Sequence, residues 1–82
     1  MSRSRNYPWE VILARLQAQP DQWLLLPEMT ARPASLVRRI RRRAVRALRA
    51  PGGVVQARAG WTGTTTDGRS IADVYLRWRK DP

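Results

Sequence analysis

Residues 33–49 read PASLVRRIRRRAVRALR and carry the strongest periodic signal in the chain. At about 100° per residue, their apolar side chains gather on one side of a helical wheel and their arginines on the other. Pro51 and two glycines follow, a pattern typical of a helix end. The segment therefore predicts an amphipathic helix over 33–49. Its apolar side consists of Leu36, Val37, Ile40, Ala44, Ala47 and Leu48; Arg38, Arg39, Arg42, Arg46 and Arg49 project from the other side, with Arg41 and Arg43 on the flanks.

The chain before this segment predicts a first helix and a short strand. Between residues 8 and 19 the apolar residues recur at i, i+3, i+4 and i+7, the spacing of one helix face. The run 22–26 (QWLLL) is short and apolar and lies between two prolines, which favours a buried strand. Residues 27–33 are expected to form a connector, and residues 1–6 a basic, flexible arm.

The chain after the amphipathic segment alternates between apolar and polar residues with a period of two. This alternation predicts two antiparallel strands, about 54–61 and 71–79, joined by a turn-rich loop at 62–69. The whole of 7–80 is thus expected to form one compact α+β domain in the order helix, strand, helix, strand, strand, with a small antiparallel sheet packed on two helices. The expected inward residues are Val55, Ala57, Ala59 and Trp61 on the first strand, and Ala72, Val74, Leu76 and Trp78 on the second.

The pattern predicts that the aromatic residues divide between core and surface. All four tryptophans (Trp9, Trp23, Trp61 and Trp78) fall on faces expected to be buried, and in a chain without Phe they are expected to fill the core. Tyr75 instead alternates onto the face of Asp73, Arg77 and Arg79. An exposed aromatic among arginines can stack on nucleic-acid bases, and ordinary cross-strand packing is an equal alternative.

The charge balance points to an anionic partner. The chain of 82 residues has 16 Lys and Arg against 6 Asp and Glu, a net charge of +10. Fifteen of the 16 are Arg, which a GC-rich genome favours irrespective of function, so a merely solvated basic surface remains one alternative. The amphipathic segment, however, contains no acidic residue that could relieve repulsion at i,i+4 spacing. A partner that supplies the negative charge accounts for this pattern better.

The residue types that are missing exclude several function classes. Without Cys or His there is no disulfide, no zinc site of the usual kind, no Cys nucleophile and no His general base. Asp67 and Asp73 are the only neighbouring carboxylates, with no Lys between them, so we expect neither an enzyme nor a cofactor. The longest apolar stretch is 23–27, too short to cross a membrane, and the basic N-terminus is not followed by the apolar segment of a secretory signal. A bacterial cytoplasmic location is expected.

The element order resembles a reduced winged-helix DNA-binding domain. The resemblance implies that residues 33–49 act as the recognition helix and residues 62–69 as the wing, with Arg69 reaching a phosphate or the minor groove. The sequence departs from that fold at 27–33, because this proline-rich connector is too short for the second of three helices.

The overall pattern also resembles a group of small uncharacterised proteins of actinobacterial phages and prophages. The matching residues are Trp9, Ile12 and Leu16, the phrase QPDQW at 19–23, Ala34-Ser35, the IRR at 40–42 and the closing VYLRW at 74–78. This resemblance implies a compact accessory protein and supplies no catalytic residues.

Together these features predict a non-enzymatic protein that binds duplex DNA, such as a phage-type regulator or nucleoid-type factor. The arginines at 38, 39, 41, 42, 43, 46, 49 and 69 would contact phosphates and groove edges. Two alternatives stay open: an interaction protein whose basic face docks an acidic host protein, and an RNA-binding protein. The sequence leaves the oligomeric state open as well.

Overall fold

The structure is a computed structural model that describes residues 7–81, and the predicted arm 1–6 lies outside the described residues. Two α-helices, α1 (Trp9–Ala18) and α2 (Ser35–Arg41), accompany three strands, β1 (Arg32–Pro33), β2 (Gly53–Thr64) and β3 (Ser70–Lys80). Single 3-10 turns at Pro27–Met29 and Arg46–Leu48 lie in the connections. The strands form one antiparallel sheet in the order β1-β3-β2, which confirms the α+β class.

The β2–β3 hairpin is the largest element, and it is longer than predicted. Pairing runs from Gly53 opposite Lys80 to Thr64 opposite Ser70. The tip is therefore only residues 65–69, closed by the Thr65 N–H donating to the Arg69 carbonyl at 2.9 Å. Gly68 takes a φ of 88° in this turn, a conformation that favours glycine.

The opposite edge of β3 is covered by two short pieces of chain, and here the prediction for 22–26 was wrong. Only Leu24 pairs with β3, where it and Leu76 exchange backbone hydrogen bonds of 2.8 and 3.0 Å. The left-handed turn at Asp21 (φ 64°) and the 3-10 turn that begins at Pro27 leave no room for a longer ladder. Instead, β1 forms inside the predicted connector and pairs with β3 at Ala72 and Ile71.

The hydrophobic core lies on one side of the sheet, which we call the inner face. Both helices pack there, as predicted, and no polar or charged residue is buried among residues 7–81. No helix in that range is long and apolar enough to cross a bilayer. The predicted contacts between α1, the amphipathic segment and the sheet are confirmed, because the core cluster contains Ile12, Leu16, Leu36, Val37, Ile40, Leu48, Val74, Leu76 and Trp78.

The predicted helix over 33–49 is wrong in its length, because α2 ends at Arg41. Arg43 adopts a left-handed φ of 58°, its N–H bonds to the Ile40 carbonyl at 2.9 Å, and the Ala44 N–H bonds to the Arg39 carbonyl at 2.9 Å. This pair of hydrogen bonds is a Schellman motif, which closes a helix C-terminus. The expected stop at residues 51–53 thus lies well beyond the actual one.

Charge and packing both explain the early stop. A longer helix would place arginines at i,i+4 from one another, which is unfavourable, and would turn the small Ala44 and Ala47 toward the core together with Leu48, leaving Val45 off the apolar side. With the chain bent at Arg43, these two alanines are exposed and the larger Val45 and Leu48 are buried. The wheel pattern identified the right apolar surface in α2 but could not show that the chain leaves the helix to fill the core better.

A β-bulge corrects the expectation for Trp61. Gly60 and Trp61 stand together opposite Asp73, because the register shifts between Ala59 and Thr62. The bulge reverses the alternation, so Trp61 leaves the inner face and is 56% exposed. Of the four tryptophans expected in the core, only Trp78 is buried; Trp9 and Trp23 are half-buried.

Candidate nucleic-acid interface

Seven arginines between residues 38 and 49 form the first basic surface, which we call the arginine cluster. Local structure exposes them in three different ways. Two lie within α2, three span its last residue and the following turn, and two lie in and just after the 3-10 turn. Its members, all exposed, are Arg38, Arg39, Arg41, Arg42, Arg43, Arg46 and Arg49.

No carboxylate neutralises the arginine cluster within residues 7–81. The three ion pairs in this range join Arg15 to Glu28, Arg69 to Asp67, and Arg79 to Asp21, so none includes a cluster residue. Glu28 and Asp67, the acidic residues that flank the cluster in sequence, are thus occupied by other arginines. The positive charge of the cluster is left for solvent or for a partner.

Two cluster residues also have structural roles. The Arg41 Nε–H donates to the Ala57 carbonyl at 2.9 Å, which ties the end of α2 to β2. The Arg49 Nε–H donates to the Arg43 carbonyl at 2.7 Å, which holds the bend that follows α2. Within the described part of the chain, the other five guanidinium groups make no hydrogen bond, so their donor forks are available.

Arg69, the eighth predicted site residue, lies apart from the arginine cluster at the hairpin tip. Ala57, beside the cluster, lies eight residue steps from the tip at Thr65, which corresponds to roughly 25 Å along β2. The Arg69 side chain is 82% exposed and its Nε lies 3.4 Å from the Asp67 carboxylate. Such an exposed pair is weak, so Asp67 reduces but does not remove the positive charge of the tip.

A second basic surface, absent from the predicted site, lies on the side of the sheet opposite the core, which we call the outer face. Arg77 and Arg58 both approach the ring of Trp23, with Cζ-to-centroid distances of 4.5 and 4.7 Å. Arg58 also lies 5.7 Å from the ring centroid of Tyr75. Gln56 fixes the Arg77 guanidinium, because its Oε1 accepts from Nε at 2.8 Å and from Nη2 at 2.6 Å.

An open cleft of about 520 Å³ lies where the outer face meets the arginine cluster. Its charged lining is entirely positive, with two arginines from the cluster and two from the sheet, and no carboxylate is among its lining residues. Trp23 forms its aromatic wall. The arginines are Arg41, Arg43, Arg58 and Arg77.

Two glycines make room for aromatic rings on the hairpin beyond this cleft. A Cβ at Gly60 would stand 2.7 Å from Tyr75 Cδ1, and one at Gly63 would stand 2.6 Å from Trp61 Cζ2. Both glycines therefore provide the space that the rings occupy. The outer face consequently carries three aromatic residues, Trp23, Tyr75 and Trp61, along its length.

Part of the outer face could be predicted from the sequence. Tyr75 and Arg77 were predicted to share an exposed strand face, and the structure confirms this placement. Gln56 and Arg58 alternate onto the same face of β2, so the period-two pattern contains them as well. Trp23 and Trp61 were assigned to the core because neither the single bridge at Leu24 nor the bulge is visible in an apolar pattern.

Comparison of the chain with protein-family models, curated proteins and solved structures finds no match.

Proposed function

We propose that the protein is a non-enzymatic DNA-binding protein of the bacterial cytoplasm that holds duplex DNA on the arginine cluster. The observation that carries the proposal is the set of seven exposed guanidinium groups with no carboxylate partner among residues 7–81. Five of them keep all their donors available, and the planar fork of each matches two phosphate oxygens.

The composition of the cluster favours a duplex over an extended strand. Its residues lie on the short helix α2 and in the turns that follow, a stretch without aromatic residues. A basic surface of this kind can contact phosphates on both sides of a groove. Outside the cleft where Arg41 and Arg43 meet Trp23, it offers no ring on which an unpaired base could stack.

The hairpin adds a second contact to this proposal. Beyond Ala57, strand β2 is exposed over Arg58–Thr62, so the edge of the hairpin on the β2 side is open to a ligand. Arg69 at its tip would reach a phosphate or the minor groove roughly one strand length from the cluster. Phage-type regulation is the biological setting that the sequence pattern suggests for such a protein.

A salt series with a labelled 16-base-pair duplex tests the proposal directly. Four to seven phosphate contacts would make log affinity fall with log salt at a slope of about −4 to −6. Fluorescence anisotropy between low and physiological salt measures this slope. A matched duplex RNA and an acidic polypeptide of equal charge serve as competitors, because they represent the other two anionic partners that charge alone does not exclude.

We expect duplex DNA to bind and to be displaced more weakly by either competitor than by unlabelled duplex DNA. Failure of wild-type protein to bind the duplex even at low salt would contradict the proposal. Stronger displacement by the acidic polypeptide would favour the interaction-protein alternative, and stronger displacement by duplex RNA the RNA alternative.

A further inference from the structure

We infer that the outer face is a separate site for single-stranded DNA, which it holds by stacking unpaired bases on Trp23, Tyr75 and Trp61. This surface has a different composition from the arginine cluster and lies on a different element, the β2–β3 hairpin. The inference therefore goes beyond the duplex site proposed above.

Neither helix packs on the outer face of the sheet. The core residues of β2 and β3 point to the inner face, where both helices pack. On the outer face, the hairpin residues are half-buried or exposed, and Trp23 lies against two of them, Arg58 and Arg77. A sheet face that no helix covers is a surface on which an extended ligand can lie.

The side chains of that face are of the types that bind unpaired bases. Aromatic rings stack on any base, and arginine planes can do the same while their charge attracts the backbone phosphates. Here two guanidinium groups lie within 5 Å of the Trp23 centroid, and the exposed Trp61 extends the row toward the hairpin tip. Duplex DNA buries its base faces inside the helix, so this combination matches unpaired bases instead.

The side chains of the outer face are already held in place without a ligand. Gln56 fixes the Arg77 guanidinium through two hydrogen bonds. The missing side chains of Gly60 and Gly63 leave the space that the rings of Tyr75 and Trp61 occupy. Asp73, the one carboxylate on this face of β3, accepts the Ala31 N–H at 2.9 Å. This hydrogen bond ties Oδ1 of Asp73 to the chain beside β1.

The cleft where the outer face meets the arginine cluster has a volume of about 520 Å³, which lies within the range of sites for small organic ligands. Its four arginines and its tryptophan wall suit one nucleotide, with the phosphate on the guanidinium groups and the base against Trp23. Since Arg41 and Arg43 belong to the cluster, the cleft connects the two surfaces. This continuity selects DNA over RNA as the single strand, and that choice alone rests on the proposed duplex-DNA function.

Two labelled strands of equal charge test the inference: a twelve-nucleotide thymidine strand, dT12, and a strand of the same length made of abasic units. Both carry the same phosphates and only the first carries bases. Stacking of even one or two bases predicts that dT12 binds about tenfold more tightly at physiological salt. Equal affinities for the two strands would overturn the inference.

Substitutions then locate the bases. Trp61→Ala removes an exposed ring and Trp23→Ala a half-buried ring outside the core, and each should lower dT12 affinity about fivefold to tenfold while leaving binding of the abasic strand unchanged. Val11→Ala is the matched control, because Val11 is an exposed apolar residue on α1, on the other side of the sheet. Circular dichroism confirms folding of every variant. If both folded tryptophan variants bind dT12 as the wild type does, the inference is wrong.

The same variants separate this inference from the proposed function. We expect both tryptophan variants to bind the 16-base-pair duplex within about twofold of wild type, because the arginine cluster is unchanged. Loss of duplex binding in wild type with retained preference for dT12 would contradict only the proposed function. The reverse result would contradict only the inference, and tighter binding of a uridine strand, rU12, than of dT12 would overturn the assignment to DNA.

Discussion

The arginine cluster and the outer face are both strongly basic, yet they place their arginines in opposite ways. In the cluster, most guanidinium groups point into solvent without a protein partner. On the outer face, Arg58 and Arg77 lie against aromatic rings, and Arg77 is also held by Gln56. Free forks suit a rigid array of phosphates, whereas arginines packed on rings suit a ligand that brings its own planar groups.

This difference shows that net charge alone is a poor guide to function in a chain of this composition. A charge of +10 would be the same if every arginine were merely solvated. What each arginine can do depends on its partner within the protein. That partner is a carbonyl, an amide or an aromatic ring, and some arginines have none among the described residues. Substitutions in the shared core and on each of the two surfaces test that distinction.

Ile40→Ala should remove both surfaces at once, because the arginine cluster and the outer face share one core. Ile40 lies on α2, is 2% exposed and packs in the cluster of buried residues with the inner face of the sheet. Truncation should destabilise the domain by about 2–4 kcal/mol, enough to unfold a protein of this size. A thermal melt measures the effect, with Val11→Ala as the exposed control. A wild-type melting curve for Ile40→Ala would contradict the placement of α2 on the sheet.

Reversal of Arg42 and Arg46 to Glu should separate the two surfaces. Both side chains are exposed and make no hydrogen bond within the described residues, so the fold should persist, as circular dichroism can verify. Duplex affinity should fall by at least about 100-fold, because two phosphate contacts become repulsive. The preference for dT12 over its abasic counterpart should remain, since no aromatic residue is changed.

A double reversal outside the cluster is the control for long-range charge effects. Arg15→Glu with Lys80→Glu changes the net charge by the same amount at two other exposed positions; it also removes the exposed Arg15–Glu28 ion pair, so circular dichroism must first verify that this variant folds. We expect it to weaken duplex binding much less than the cluster variant does. Equal losses would mean that overall charge, and not the arginine cluster, determines the affinity.

Arg69→Ala tests whether the hairpin tip contributes to the duplex site. If the tip acts as a wing, duplex affinity should fall by roughly 1 kcal/mol and the salt slope should decrease by about one unit. Thr66→Ala changes the same loop without changing its charge and should have no effect. If Arg69→Ala also leaves both quantities unchanged, residues 65–69 are a plain loop and the duplex site is confined to the cluster.

The smallest expected effect concerns the bend that shapes the cluster. Arg43→Gly should stabilise the protein by about 1 kcal/mol, because glycine adopts the left-handed φ of 58° without strain. The melting temperature should rise by about 4–8 °C. The neighbouring Arg42→Gly, at a φ of −84°, should instead destabilise slightly. If both glycine variants lower the melting temperature, the helix does not end at a strained residue.

The elements that could be predicted from the sequence are those determined by a continuous local pattern. Helix α1 and the strands of the hairpin follow from helical and period-two spacing, and the buried residues Leu36, Val37 and Ile40 follow from the wheel. Their assignment is correct because one face of each element must be buried whatever the details of packing.

The features that could not be predicted depend on single residues in unusual conformations. A left-handed Arg43 ends α2 early, and a bulge at Gly60 and Trp61 moves a tryptophan from the inner to the outer face. Arg43 is not one of the residues, glycine or asparagine, that usually mark a left-handed position, whereas Gly60 was a signal for the bulge that the period-two pattern did not use. The arginines of the candidate site were identified from their types alone, whereas the outer face arises from tertiary contacts between Trp23 and two strands.

An NMR titration of the isotope-labelled protein with the 16-base-pair duplex tests the central claim most directly. The claim predicts that the amide and arginine Nε–H signals of residues 38–49 shift with increasing duplex, whereas those of Arg58 and Arg77 change little. Signals that shift mainly on the outer face, or that do not shift at low salt, would contradict it.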